Sequence, residues 1–202
     1  MKYLERIYHQ ELYLGADIKN NYFEGWYFKH VDKNKNFSIS CIVGISKSTD
    51  DHSFIQLIDN LKNKSYYFKF DIKDFVYHNY PFYIKIKDNF FSLERIFFDI
   101  KNPKIIINVS YHELLSINKN FYQSNIMGLF AYFNFLECYH AVISLRHILT
   151  GYVEIYDEEI SLSDGLGYIE KDYGSSFPNK YIWIEGNNNN SSVFLSIARD
   201  NC

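Results

Sequence analysis

Residues 37–46 read Phe-Ser-Ile-Ser-Cys-Ile-Val-Gly-Ile-Ser, and apolar side chains occupy every second position of this stretch from Phe37 to Ile45. Such alternation is typical of a strand with one face against a core, because successive side chains of a strand point to opposite faces. The same pattern recurs at 66–71, 82–87, 105–112 and 151–156. Short polar segments of hairpin length separate the strands, at 32–36, 59–64, 87–89, 101–103 and 157–159. The sequence therefore predicts many short strands joined by tight turns.

This arrangement predicts an all-β fold, with an antiparallel meander closed into a barrel or packed as a sandwich and few or no long helices. Alternation is weakest over Leu114–Phe135, where runs of Asn, Lys and Ser interrupt it. We therefore place a connector at 114–135, between an N-terminal antiparallel β unit at 1–113 and the start of a second β unit at 136–202.

The composition of the chain excludes several classes of protein before any motif is considered. The chain has 202 residues, of which 47% are hydrophobic and 19% aromatic, so it can bury a sizeable core. Its formal net charge is −3, which provides no basic field to hold a nucleic acid. The N-terminal residues carry charges throughout, with no apolar signal segment, and no apolar run approaches the roughly 18 residues that span a bilayer. We expect a cytoplasmic protein with at most peripheral membrane contact.

Cysteine and histidine spacing gives no support for a metal site. Cys41, Cys138 and Cys202 are widely spaced and form no Cys-x-x-Cys pair, which fits a reducing compartment. Cys138 and His140 share a strand face, but together with His147 they lack the spacing of a zinc site. His140 is better interpreted as a proton carrier or as a hydrogen-bonding group of the core.

Two acidic residues lie two positions apart near the end of the chain. In an extended strand, Tyr168, Glu170 and Asp172 share one face, and Ile169 and Lys171 point the other way. Like charges so close together raise the pKa of one carboxyl group and can keep it protonated near neutral pH, as a general acid requires. The alternative is an exposed strand face with solvated acids.

A third acid, Glu24, lies among aromatic residues in Phe23-Glu24-Gly25-Trp26-Tyr27-Phe28. By alternation Glu24 shares a face with Trp26 and Phe28, and we expect that face to be interior. Glu24 is then either another buried acid or the partner of a Lys or Arg across the sheet, and a paired Glu is favoured over an exposed one. Glu137 and Tyr139 share a strand face in the same way.

Three segments together resemble the tocopherol cyclase family, including its bacterial tocopherol cyclase-like members. They are Phe23–Phe28, Met127-Gly128 with Glu137–His140, and Gly167-Tyr168-Ile169-Glu170-Lys171-Asp172 with Gly174 and Ser176-Phe177-Pro178. Tyr181-Ile182-Trp183 follows in the expected place. The family commonly has Trp at the position of Tyr173 and Pro at that of Leu129. Relatives also continue past Ala198, so the resemblance implies a shortened chain.

The resemblance implies a lipocalin-like barrel, incomplete if later strands are missing, and closure of a chromanol ring from a prenylated quinol without a redox cofactor. In that chemistry an acid protonates a prenyl double bond and the phenol oxygen traps the cation. Asp172 and Glu170 are the candidate acids, and Glu137 and His140 are candidates to orient or deprotonate the phenol. The residues expected to contact a lipophilic substrate are Glu24, Trp26, Tyr139, Tyr168, Tyr173 and Trp183.

Two alternatives stay open at this point. The same barrel can carry a hydrophobic ligand without converting it, or the shortened chain can be an inactive remnant. An open sheet edge would also allow pairing with a second copy of the chain. The sequence does not specify the substrate.

Overall fold

The computed structural model describes residues 3–199, with side chains from residue 4 onward. The prediction for Cys202 lies outside the described residues. One short α-helix begins the described chain at Tyr3–Tyr8, and 3-10 turns occur at Gly15–Asp17, Ile72–Asp74 and Gly128–Tyr132. No helix within residues 3–199 is long and apolar enough to cross a membrane.

Strands make up most of the remaining structure. In chain order they are β1 Tyr22–Val31, β2 Ser38–Lys47, β3 His52–Asp59, β4 Lys64–Asp71, β5 Phe75–Asn79, β6 Phe82–Ile86, β7 Asn89–Ser92, β8 Arg95–Lys101, β9 Lys104–Leu115, β10 Cys138–Ile155, β11 Glu158–Ser161, β12 Leu166–Gly174, β13 Lys180–Asn187 and β14 Ser192–Arg199. Each predicted polar connector overlaps the turn between two of these strands, although Glu158 and Glu159 of the segment 157–159 belong to β11.

Twelve strands form one antiparallel sheet in the order β4-β3-β2-β1-β12-β10-β9-β8-β7-β6-β5, with β11 paired to β10. The sheet curves into a nearly closed, lipocalin-like barrel, so the predicted all-β fold class is confirmed. β13 and β14 form a separate two-stranded hairpin.

The order of strands brings distant parts of the chain together. β12 pairs with β1 from Phe23↔Gly174 to Val31↔Leu166, and β10 pairs with both β12 and β9. β10 and β12, which follow the connector in the sequence, therefore lie between β1 and β9 in the same sheet. The connector at 114–135 joins β9 to β10.

The inner face of the barrel is apolar and aromatic. Trp26, Phe28, Ile39, Cys41 and Ile169 are fully buried there, as strand alternation predicts. Each strand thus presents one face to the barrel interior and the other to the exterior. Tyr27, which lies between Trp26 and Phe28, faces the exterior side and is only partly buried.

A buried ion pair lies at one end of this core. The Nζ atom of Lys171 is 2.5 Å from Oε1 of Glu24, and neither side chain is exposed to solvent. Lys171 Nζ also donates to the carbonyl of Leu12 at 2.5 Å, and Glu24 Oε2 accepts from the backbone N–H groups of Leu14 and Gly15. Burial lowers the pKa of Lys171, while the Glu24 carboxylate opposes that effect. The pair therefore attaches residues 12–15 to the sheet.

A second buried polar cluster occupies the interior near β9 and β10. The hydroxyl of Tyr111 is 2.7 Å from Nε2 of His30, and the Tyr111 ring packs on the ring of His147 with centroids 4.5 Å apart. His147 Nδ1 is 3.0 Å from the hydroxyl of Ser144. Burial lowers the pKa of His30 to about 4 and that of His147 to about 3. Both imidazoles are therefore neutral at pH 7.

Candidate active site

The exterior face of β1, β10 and β12 carries the two acids predicted to act together. Glu170 and Asp172 lie on this face, and Lys171 between them points into the core. β10 places His140 directly opposite Asp172 in the strand register, and β1 places Tyr27 opposite Glu170. Four side chains from three neighbouring strands thus form the floor of a pocket.

The hairpin of β13 and β14 covers this floor. The resulting cavity has a volume of about 660 Å³, which is in the range typical of small-molecule sites. Its lining is mainly aromatic and aliphatic around a few polar groups. The lining residues are Tyr27, Ile42, Ile126, Met127, Phe130, Cys138, His140, Glu170, Asp172, Phe177, Pro178, Tyr181, Trp183, Phe194, Leu195, Ser196 and Ala198.

His140 lies between the two acids. Its Nδ1 atom is 2.6 Å from Oδ1 of Asp172, and its Nε2 atom is 3.4 Å from Oε2 of Glu170. The ring also stacks on Phe194 of the hairpin, with centroids 4.8 Å apart. Burial by itself would lower the pKa of His140, but the hydrogen bond to Asp172 and the charges of both acids raise it above its ordinary value. Asp172 therefore fixes the ring orientation and favours a proton on Nδ1.

Glu170 is the acid whose protonation changes near neutral pH. Its Oε2 atom accepts hydrogen bonds from the Tyr168 hydroxyl at 2.6 Å and from Trp183 Nε1 at 3.0 Å. Burial raises the pKa of Glu170 to about 7, and the charge of Asp172 adds to the increase, while His140 and the two donors oppose it. A carboxyl group with this pKa can give up and recover a proton at physiological pH.

The structure brings together half of the residues predicted for the site. Glu170, Asp172, His140 and Trp183 line the pocket, and Tyr168 is hydrogen-bonded to Glu170 beneath it. Glu24, Trp26, Tyr139 and Tyr173 are placed elsewhere, on the core side of the sheet, and Glu137 is exposed and outside the pocket wall.

Strand alternation explains this division. Tyr139 and Tyr173 are paired across β10 and β12, and their rings stack with centroids 5.1 Å apart on the same side of the sheet as Lys171. The predicted cation partner of Glu24 is Lys171, so that acid serves the core and not the pocket.

Several pocket residues were not predicted from the sequence. The roof residues Tyr181 and Phe194, and the wall residues Ile126 and Phe130, come from the hairpin and from the connector. The docking of a hairpin onto the exterior of a barrel is not encoded in a local sequence pattern. Tyr27 was within a quoted motif, and its position opposite Glu170 follows only from the β1–β12 pairing.

The metal constellation considered from the sequence is not assembled. His147 lies in the core, whereas His140 and Cys138 face the pocket. Among residues 3–199, no three His, Cys, Asp or Glu side chains are grouped so that they could hold a metal ion. A second, larger groove of about 960 Å³ is lined mostly by polar and charged residues, including Lys29, Arg146 and Asp164. It does not contain the paired acids.

The fold and pocket define a lipocalin-like barrel with an acidic, aromatic-walled site. Residues 114–199 match the protein-family model described as tocopherol cyclase-like, and this segment contains His140, Glu170, Asp172 and Trp183. The resemblance predicted from the sequence is thereby confirmed for this part of the chain. A comparison with curated proteins finds no match.

Two solved structures share the fold. An AttH-like protein from Nitrosomonas europaea superposes with a TM-score of 0.50 at 15% identity, covering 86% of this chain and 60% of that one. Kievitone hydratase from Nectria haematococca superposes with a TM-score of 0.54 at 8% identity, covering 94% of this chain and 61% of that one. The chain therefore spans about three fifths of the length of these structures. At such identities the likeness concerns the fold alone.

Proposed function

We propose that this protein is an acid catalyst acting on a lipophilic isoprenoid substrate, and that it closes a ring in a prenylated quinol without a change of oxidation state. The observation that carries the proposal is the buried Glu170 carboxyl group, which lies beside His140 in an aromatic-walled cavity. Its pKa is raised to about 7. The tocopherol cyclase-like match over residues 114–199 supports the same chemistry.

In the proposed reaction, protonated Glu170 donates its proton to the alkene of the substrate. The carboxylate left behind is stabilised by the hydrogen bonds from Tyr168 and Trp183 and by the neighbouring His140. The tertiary cation that forms is held near the π faces of the pocket aromatics, which attract positive charge. The phenol oxygen then bonds to the cation, and the phenol proton returns to Glu170, so atoms and charges balance.

Asp172 acts through His140 in this proposal. By holding Nδ1–H of His140 it keeps Nε2 directed at Glu170, so that the imidazole can share the proton while substrate is bound. Glu170 is thus the proton donor and Asp172 is a positioning residue. The sequence alone left these two roles interchangeable.

The test is to incubate the purified protein with a prenylated hydroquinone and to follow the chromanol product by liquid chromatography and mass spectrometry. We expect product with the native protein and a loss of at least about a hundredfold in kcat for Glu170→Gln, the range that general acids contribute. Glu159→Gln changes an exposed acid of β11 and serves as the matched control. Equal turnover by Glu170→Gln and Glu159→Gln would remove Glu170 from the mechanism.

The second candidate function is a carrier that binds a hydrophobic ligand without converting it. The apolar and aromatic lining of the cavity favours this candidate independently of the acids. Retention of a prenylated hydroquinone in native mass spectrometry, with no product after prolonged incubation, would support the carrier.

A further inference from the structure

Three aromatic side chains of the cavity wall are also exposed to solvent. Phe130, Phe177 and Tyr181 belong to the cavity wall, yet 59%, 52% and 61% of their surfaces are exposed to solvent. They come from three different parts of the chain, namely the connector, the segment after β12, and β13. We call these three residues the aromatic rim.

The exposed apolar surface continues from the rim along the connector. The ring of Phe130 contacts that of Phe133, which in turn contacts Phe135, with centroids 6.2 and 5.3 Å apart. Ile126 lines both the cavity and a neighbouring shallow pocket formed by Phe121 and Tyr122. We call Phe121, Tyr122, Phe133 and Phe135 the connector patch, and each of these four side chains is exposed.

Large contiguous apolar surfaces on a soluble domain mark sites of interaction. From these residues we infer that the aromatic rim and the connector patch dock onto a lipid bilayer, with the cavity opening toward the membrane. The inference goes beyond the proposed function and does not depend on turnover. It gives a lipophilic ligand a route from the bilayer to the cavity that avoids water.

The chemistry of the connector favours a bilayer over a protein partner. Residues 114–135 contain a single charged side chain, Lys119, and combine Phe and Tyr with Asn, Gln and Ser. Aromatic residues with polar neighbours suit the interface between acyl chains and headgroups. The connector also has an irregular backbone with a short 3-10 turn, so it presents no strand edge to a second copy of the chain.

The small charge of this surface defines the expected kind of membrane binding. With Lys119 as its single charged residue, the connector lacks the basic cluster that recognises anionic lipids. Binding should therefore come from burial of aromatic surface. It should occur on neutral phosphatidylcholine vesicles and should persist at high salt, because salt screens electrostatic attraction and not the hydrophobic effect.

The experiment is co-sedimentation of the full chain with phosphatidylcholine vesicles at about 0.1 M and 1 M salt, with a tube lacking vesicles to detect self-association. The test variant is Phe121→Ser with Phe135→Ser, which leaves the cavity wall unchanged. The control is Ile182→Ser with Ile197→Ser, a cross-strand pair on the β13–β14 hairpin that is also exposed. Thermal unfolding of each variant verifies that it is folded.

We expect the native protein and the hairpin variant to pellet with the vesicles at both salt concentrations. The connector variant should partition at least about tenfold more weakly, because two large aromatic groups no longer enter the interface. The inference is overturned if the native protein stays in solution or sediments without vesicles. It is equally overturned if binding is lost at the higher salt concentration, or if the connector variant binds as strongly as the native protein.

Discussion

The ammonium group of Lys171 lies 2.5 Å from the carboxylate of Glu24, and both side chains are completely buried. These residues belong to strands β12 and β1, which are adjacent in the sheet although far apart in the sequence. Because the acids on either side of Lys171 in β12 face the exterior cavity, this strand supplies the cation of the core ion pair to one face of the sheet and two carboxyl groups to the other.

This pair makes a strong prediction about stability. Replacing Lys171 by Met should lower the free energy of unfolding by about 3–5 kcal/mol, because Glu24 would remain buried without its counter-ion. Urea denaturation followed by circular dichroism measures the change. Lys101→Met, at an exposed position, is the matched control and should stay within about 0.5 kcal/mol of the native protein.

A double variant separates the charge from the packing of the side chain. Glu24→Gln combined with Lys171→Met removes both charges and should recover part of the stability that Lys171→Met loses. If the double variant is less stable than Lys171→Met by the full cost of Glu24→Gln, the two charges are not coupled and the interpretation is wrong.

A second prediction about stability concerns Gly167, where the core leaves no room for a side chain. A Cβ atom at this position would lie 2.0 Å from Nε2 of His147, whose ring is buried and held through Ser144. Gly167→Ala should therefore cost about 1–3 kcal/mol, the usual range for overpacking. Gly186→Ala is the comparison, because its Cβ would meet Val193 only at an ordinary contact distance of 3.6 Å. Equal midpoints in urea for the two variants would contradict the proposed clash.

The burial of His147 leads to a prediction about how the stability of the fold depends on pH. Its pKa is lowered from 6.5 to about 3 by burial, so below pH 6.5 the unfolded chain takes up a proton that the folded protein does not. Stability is therefore retained above pH 6.5 and lost as the pH falls toward 3, by about 1.4 kcal/mol per pH unit for this residue.

The measurement compares urea unfolding of the native protein with that of His147→Phe between pH 7 and pH 4. The difference between the two isolates His147 from the other titrating groups. Between pH 7 and pH 4, we expect the free energy of unfolding of His147→Phe to fall by up to about 3 kcal/mol less than that of the native protein. Parallel curves for the two proteins would show that His147 is not the residue being protonated.

Strand alternation predicted from the sequence accounts for much of the fold and for part of the site. It separates Glu170 and Asp172 from Lys171, and it assigns Glu24 to the interior with Trp26 and Phe28. Alternation describes only one strand at a time, so it could not place β12 against β1 or show that Lys171 is the partner of Glu24.

Strand bulges and tertiary contacts explain why the remaining parts of the site could not be predicted from the sequence. β10 changes register against β12 between Val142 and Ser144 and again before His147, so counting positions from His140 does not give the face of His147. The roof of the cavity depends on how the β13–β14 hairpin lies on the sheet, which is a tertiary contact between residues such as Trp183 and Glu170. Local periodicity carries no information about such contacts.

The last prediction concerns the protonation of Glu170 during turnover. A general acid works when it is protonated, so the rate should be highest below pH 7 and should fall as the pH rises through the pKa of about 7. The hydrogen bond from Trp183 stabilises the ionised form of Glu170 and so lowers that pKa. Trp183→Phe removes the donor but keeps an aromatic ring, and it should move the alkaline limb of the kcat profile to higher pH.

Two further variants test whether this pH shift arises from the ionisation of Glu170. Tyr168→Phe removes the other donor to Oε2 and should shift the limb in the same direction. Tyr27→Phe is the control, because the Tyr27 hydroxyl bonds to Ser40 and not to Glu170. If Trp183→Phe and Tyr168→Phe lower the rate at every pH without moving the limb, their role is to shape the cavity. The ionisation that limits turnover would then belong to a group other than Glu170.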